Sequence, residues 1–130
     1  MSTLRTNALE GVDAKNSITI VAGAGNITTT NVQEGLAKGF LSATQPGSTG
    51  DSFNVSGTTD AGTGLNTIAL SNSMNSTSHA VVSACQHAEI SSLVEDQRAT
   101  TGYQQSMFTR ADSLGMADGD HFSAIFGDLA

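Results

Sequence analysis

Short runs of alternating apolar and polar residues make up much of the second half of this chain. Phe53 and Val55 share one face of a first run. Ile68 and Leu70 share one face of the next run, and the glycine-containing turn 60–64 lies between the two. A period of two is the pattern of a half-buried strand, so the two runs predict a β-hairpin with a longer loop.

Further strands are predicted for residues 80–86, 103–109 and 121–127. Residues 87–101 are open to either interpretation. Ile90, Leu93 and Val94 have helical spacing, whereas the adjacent serines and Gly102 favour a strand or a loop. Several short strands and few helices predict a mainly β fold.

The predicted fold is a small antiparallel β-sandwich over residues 51–130, preceded by an extended arm over residues 1–40. The residues expected to fill the core of the sandwich are Phe53, Val55, Ile68, Leu70, Val82, Phe122 and Phe126. Residues 41–50 contain the single proline, together with glycine and small polar residues, and are predicted to be a linker.

The arm has one clear strand and a weaker helical pattern. Residues 17–22 (SITIVA) are rich in β-branched side chains and predict a strand. Asn31 and Glu34 have the spacing of a capping box, which predicts a short helix; a single surface turn is the alternative. The apolar positions of both elements, which we expect to be shared between copies of the chain, are Ile18, Ile20, Val32, Leu36 and Phe40.

The composition favours oligomerisation over a stable monomer. The 130 residues include 14 Gly and no Trp, and much of the 38 % hydrophobic fraction is Ala, which buries little area. A chain with so little apolar surface to bury gains stability by associating with others.

The net charge of −7 is unevenly distributed. Residues 1–50 are neutral, and residues 51–130 carry nine acidic side chains against two basic ones. An acidic module repels phosphate, so nucleic acid is not an expected partner. The polar N-terminus predicts no cleaved secretory signal, and no apolar run is long enough for membrane insertion.

Residues with metal-binding or catalytic side chains are scattered along the chain. His87 and Glu89 would share one side of a strand, and His79 or His121 could join them at a metal ion; singly hydrogen-bonded histidines are the favoured interpretation.

Asp112, Asp118 and Asp120 could contact calcium, but they lack the ligand order of a calcium-binding loop and are interpreted as solvated. No serine lies in a Gly-x-Ser-x-Gly motif. We therefore expect no catalytic site, metal or cofactor.

The chain resembles short fibre proteins of tailed bacteriophages, especially those of marine bacteria and cyanobacteria. The similar segments are residues 1–38, 51–56, 59–60, 62–64 and 125–130. The resemblance covers most of the chain but does not extend to residues 87–117.

The resemblance implies a homotrimeric virion protein that is made in the host cytoplasm and is not an enzyme. The arm would attach to other virion proteins, and the β-rich module would face a host surface receptor. The sequence leaves two alternatives open. The first is a trimeric decoration protein that stabilises the phage head, and the second is a saccharide-degrading tail enzyme.

Overall fold

The computed structural model describes residues 19–21, 29–31, 35–85, 89–109 and 115–130, and these residues are mainly β. In chain order the strands are β1 (Thr19–Val21), β2 (Thr29–Asn31), β3 (Gly39–Ala43), β4 (Ser52–Phe53), β5 (Val55–Gly62), β6 (Leu65–Leu70), β7 (Ala80–Cys85), β8 (Glu89–Leu93), β9 (Gly102–Thr109) and β10 (His121–Phe126). A short 3-10 helix, Glu95–Gln97, lies between β8 and β9.

The chain divides into two compact units, of which the first ends at Leu36. In this first unit β1 pairs with β2 in antiparallel register, with Thr19 opposite Asn31. The prediction of a strand in the arm is therefore confirmed for residues 19–21. Ile18 and Val32, two of the apolar positions expected to be shared between copies, lie outside the described residues.

The second unit, residues 37–130, contains two four-stranded antiparallel sheets. Sheet I has the strand order β4-β3-β10-β7, and sheet II has the order β5-β6-β9-β8. The β5–β6 pairing confirms a hairpin at the predicted turn, but Phe53 lies in β4 of sheet I, so the first predicted run is divided between the two sheets. The strands predicted near β7, β9 and β10 are confirmed as well, and β8 decides the open segment in favour of a strand.

The boundaries of the arm and linker differ from the prediction, because β3 belongs to the second unit. Phe40 was predicted on a helical stripe, but it lies in β3, which pairs with β10 on one side and β4 on the other. Leu41 and Ala43 are buried core residues and not linker. Non-local strand pairing outweighs the helical spacing, since a glycine-containing helix is intrinsically weak.

The apolar core lies between the two sheets. Its buried residues are Leu41, Ala43, Ile68, Leu70, Met74, Tyr103 and Ile125. The predictions for Ile68 and Leu70 are confirmed, and Val55 is partly buried against the cluster.

Four other predicted core residues are not part of this cluster. Phe53 is 55 % exposed, Val82 is 62 % exposed and Phe122 is 41 % exposed, so the prediction that they fill the core is wrong. Phe126 is half-buried on the same side of β10 as Phe122. Side chains alternate along β10, so Ile125 points inward whereas Phe122 and Phe126 point outward.

The chain passes from sheet I to sheet II at Asn54, between β4 and β5. This residue has a positive φ of 57°. Its side-chain amide donates to the carbonyls of Lys38 (2.9 Å) and Asn72 (3.2 Å). Its Oδ1 accepts from the backbone N–H of Asn72 (2.7 Å) and from that residue's side-chain amide (3.0 Å). Asn54 therefore tolerates the backbone conformation of the corner and fastens it to two other segments.

Replacement of Asn54 by Ala should destabilise the fold by about 2–4 kcal/mol, because several hydrogen bonds are lost and alanine is disfavoured at positive φ. Asn54→Gly should cost about 1 kcal/mol less than Asn54→Ala, since glycine accepts this φ. Urea unfolding of both variants measures the difference. Asn75→Ala in an exposed loop is the control, and equal losses for Ala and Gly at position 54 would contradict the role of φ.

Candidate interaction face

The outer side of sheet I carries its side chains in two cross-strand rows. The first row is Phe53, Phe40, Ala124 and Val82, and the second row is Ser42, Phe122 and Ala84. These residues are called the apolar face below. They lie together because the register of β10 places Ala124 opposite both Phe40 and Val82, and places Phe122 opposite both Ser42 and Ala84.

The large side chains of the apolar face are well exposed. Phe40 is 39 % exposed, and the rings of Phe40 and Phe53 are tilted against each other with centroids 6.4 Å apart. The face therefore combines three partly exposed phenyl rings with an exposed valine. Contiguous exposed apolar surface of this kind marks a site of association more often than an ordinary solvated surface.

A shallow hollow of about 340 Å³ lies on the apolar face. Phe40, Phe122 and Val82 contribute its large side chains, and the small side chains of Ala84 and Ala124 leave space between them. Phe53 is not among the residues that line it. The face thus has both a protruding ring at the β4 edge and a depression over β3, β10 and β7.

The outer side of sheet II has a different chemistry. Gln104 donates a hydrogen bond to Thr67 across neighbouring strands (3.0 Å), and the hydroxyls of Ser92 and Ser106 are 3.0 Å apart. The same side also carries apolar side chains, since Ile90 is 46 % exposed and lies opposite Phe108. By contrast, no residue in the two rows of the apolar face is charged. The outer side of sheet II is therefore mixed, whereas every large side chain in the two rows of the apolar face is apolar.

Two polar positions of sheet I point inward and meet polar partners from sheet II or its loops. Asn66 accepts a hydrogen bond from the N–H of Gly47 at Oδ1 (3.0 Å), so its amide nitrogen faces His121 Nε2 (2.6 Å). His121 Nδ1 lies 3.1 Å from the carbonyl of Gly119, which can only accept. The network therefore assigns the proton to Nδ1 and leaves Nε2 as the acceptor.

Tyr103 makes a similar link between the sheets. Its hydroxyl contacts the hydroxyl of Ser123, and its side chain is 2 % exposed. Burial raises the pKa of the Tyr103 phenol above its usual value, and the hydrogen bond with Ser123 opposes part of that rise. Sequence analysis did not identify this residue as core, because its neighbours on β9 are polar.

The histidines predicted as possible metal ligands do not converge. His79 is buried, with Nδ1 3.0 Å from the carbonyl of Ser76, and His121 is engaged by Asn66. His87 lies outside the described residues. No group of three His, Cys, Asp or Glu side chains in the described parts of the chain could hold a metal ion.

The aspartates considered as calcium ligands serve at least one local structural role. Asp118 Oδ1 accepts a hydrogen bond from the N–H of Gly64 (2.6 Å). Gly64 has a φ of +69°, and a Cβ there would lie 2.6 Å from the carbonyl oxygen of Met107. The carboxylate therefore fixes a turn that only glycine fits. Asp112 lies outside the described residues.

The residues expected to be shared between copies are only partly described. Phe40 lies on the apolar face, and Leu36 is 59 % exposed. The sequence pattern did not indicate that Ser42, Ala84 and Ala124 belong to a common surface. Phe122 and Ala124 alternate along β10 as Val82 and Ala84 do along β7. This pattern indicates a common surface only when the pairing of the two strands is known.

Comparison of the chain with protein-family models, with curated proteins and with solved structures gives no match. Within the described residues, no helix has the length and apolar character needed to cross a membrane.

The raised pKa of Tyr103 predicts a loss of stability at alkaline pH. The unfolded phenol loses its proton near pH 10.0, whereas the folded one retains it to higher pH, so unfolding releases a proton in that range. The free energy of unfolding should therefore fall as pH rises from about 10 towards the folded pKa, by up to about 1.4 kcal/mol per pH unit.

Denaturant unfolding at several alkaline pH values measures this component, and Tyr103→Phe should lack it. Because the chain has a single Tyr and no Trp, near-ultraviolet absorbance follows the same phenol directly. A titration midpoint at the value of free tyrosine would contradict the burial argument.

Proposed function

We propose that this chain is a structural protein of a tailed-bacteriophage particle, working as a trimeric fibre or fibre-like component. Residues of the first unit attach it to other virion proteins, and the β-sandwich is presented towards the host surface. The proposal draws on two separate supports. They are the resemblance of several segments to short phage fibre proteins and the surface of the sandwich itself.

The apolar face is the observation that carries the proposal. Phe40, Phe53, Val82 and Phe122 are exposed together on one sheet, although burying a side chain of this type contributes about 1.5–3 kcal/mol. A protein that works as a separate monomer gains nothing from that arrangement. A subunit that is packed into a larger structure gains stability and specificity from it.

The distribution of charge along the chain agrees with separate roles for the two units. The first unit, residues 1–36, has two basic and three acidic side chains and is almost neutral, whereas residues 37–130 have three basic and nine acidic side chains and a net charge of −6. A neutral segment can dock on protein without long-range repulsion, and an acidic module stays soluble when it is displayed outside the particle. We therefore assign attachment to the first unit and presentation to the second.

Localisation on phage particles tests the proposal. Virions that carry an epitope-tagged chain should show the tag on the tail by immunogold electron microscopy. Label on the head would support the decoration role in place of the fibre role. Absence of the chain from purified particles would overturn the proposal as a whole.

A chain lacking residues 1–36 should keep its β circular dichroism, because both sheets of the second unit remain intact. It should fail to enter particles, because the segment proposed to attach it is missing. This boundary replaces residue 40, since a cut there would damage β3. The full-length chain expressed in the same cells is the control. Incorporation of the truncated chain at the full-length level would refute the attachment role.

An assay for reducing ends on host capsule distinguishes the enzymatic alternative. The purified full-length chain should release no saccharide above the buffer control. Release of saccharide would replace the structural role with that of a tail enzyme.

A further inference from the structure

We propose that the apolar face binds a second copy of this chain, with Phe53 of one copy packing into the hollow of the next. The inference rests on the proposed assembly role and adds to it the surface and the contact residues.

The charge distribution favours a second copy as the occupant. Every copy carries a net charge of −7, so two copies repel each other wherever their charged surfaces approach. The rows of the apolar face contain no charged residue, and this is where copies can meet with least electrostatic cost. A strongly basic partner would instead be drawn to the acidic parts of the module.

The shape of the face is complementary to itself. Phe53 protrudes from the edge strand β4 with 55 % of its surface exposed and does not line the hollow. The hollow lies over β3, β10 and β7, where Ala84 and Ala124 leave room beside Phe122. A second copy displaced by about two strand spacings, roughly 10 Å, brings its ring over this depression. Because the Phe53 ring and the hollow lie at different positions on the same side of sheet I, two copies packed face to face can place Phe53 of one over the hollow of the other.

The apolar face is smaller than a complete protein–protein interface. The four strands of sheet I have two to six residues each and present roughly 300 Å² of flat sheet, whereas a standard interface buries about 800 Å² on each partner. The apolar face is therefore the desolvated centre of the contact, and surrounding residues form its rim. Aromatic side chains at such a centre usually dominate the binding energy.

Sedimentation velocity of the full-length chain over a range of concentrations tests the inference. The wild type should associate, and Val82→Glu should shift it to monomer by placing a charge against an apolar surface. Thr59→Glu is the matched control, because it adds the same charge to another exposed β-branched residue, on an edge strand of sheet II. It should leave the mass unchanged, and circular dichroism should show that both variants fold.

Phe53→Ala removes the protruding ring without adding a charge, and should weaken self-association by about tenfold or more. If Val82→Glu does not fold, Phe53→Ala still tests whether the apolar face mediates self-association. A wild type that stays monomeric at all concentrations would overturn the inference, and so would association unaffected by both face variants. Localisation on particles is a separate result, so a chain that is found on virions but does not self-associate contradicts this inference alone.

Discussion

The register of β10 is the constraint on which the rest of the second unit depends. This strand is paired on both sides, with β3 and with β7, so its alternation sets the facing of all three strands. His121, Ser123 and Ile125 point inward, and Phe122 and Ala124 point outward. A shift of one residue would exchange the two sets and would bring charge-free aromatic rings into the core. In the observed register His121 and Ser123 make polar pairs in the interior, and the ring of Phe122 lies on the outer surface.

The polar pairs explain how that register is maintained. His121 needs Asn66, Ser123 needs Tyr103, and these partners come from the opposite sheet. Buried polar groups are costly when they are unpaired, so a slipped register would leave Asn66 and Tyr103 without these partners. In the proposed assembly, burial of the apolar face would supplement the small apolar core, which links the fold to the proposed structural role.

Much of the strand pattern could be predicted from the sequence, because alternation and turn residues are local signals. The β5–β6 hairpin and strands β7, β9 and β10 follow from them. The facing of β10 could not be predicted, since HFSAIF has apolar residues on both faces and aromatic size favours Phe122 as core. The strand β3 was also missed, because its pairing with β10 joins residues far apart in the chain. The apolar face depends on both of these features, so sequence analysis placed its members partly in the core and partly in an arm.

Hydroxyl-radical footprinting with mass spectrometry tests most directly whether the apolar face is exposed on one chain and covered by another. At high protein concentration Phe40, Phe53 and Phe122 should be oxidised less than after dilution. Phe108 of β9, which is half-buried on sheet II, should react equally at both concentrations. Equal oxidation of the three phenylalanines of the apolar face at every concentration would contradict the account, because no second copy would then cover them.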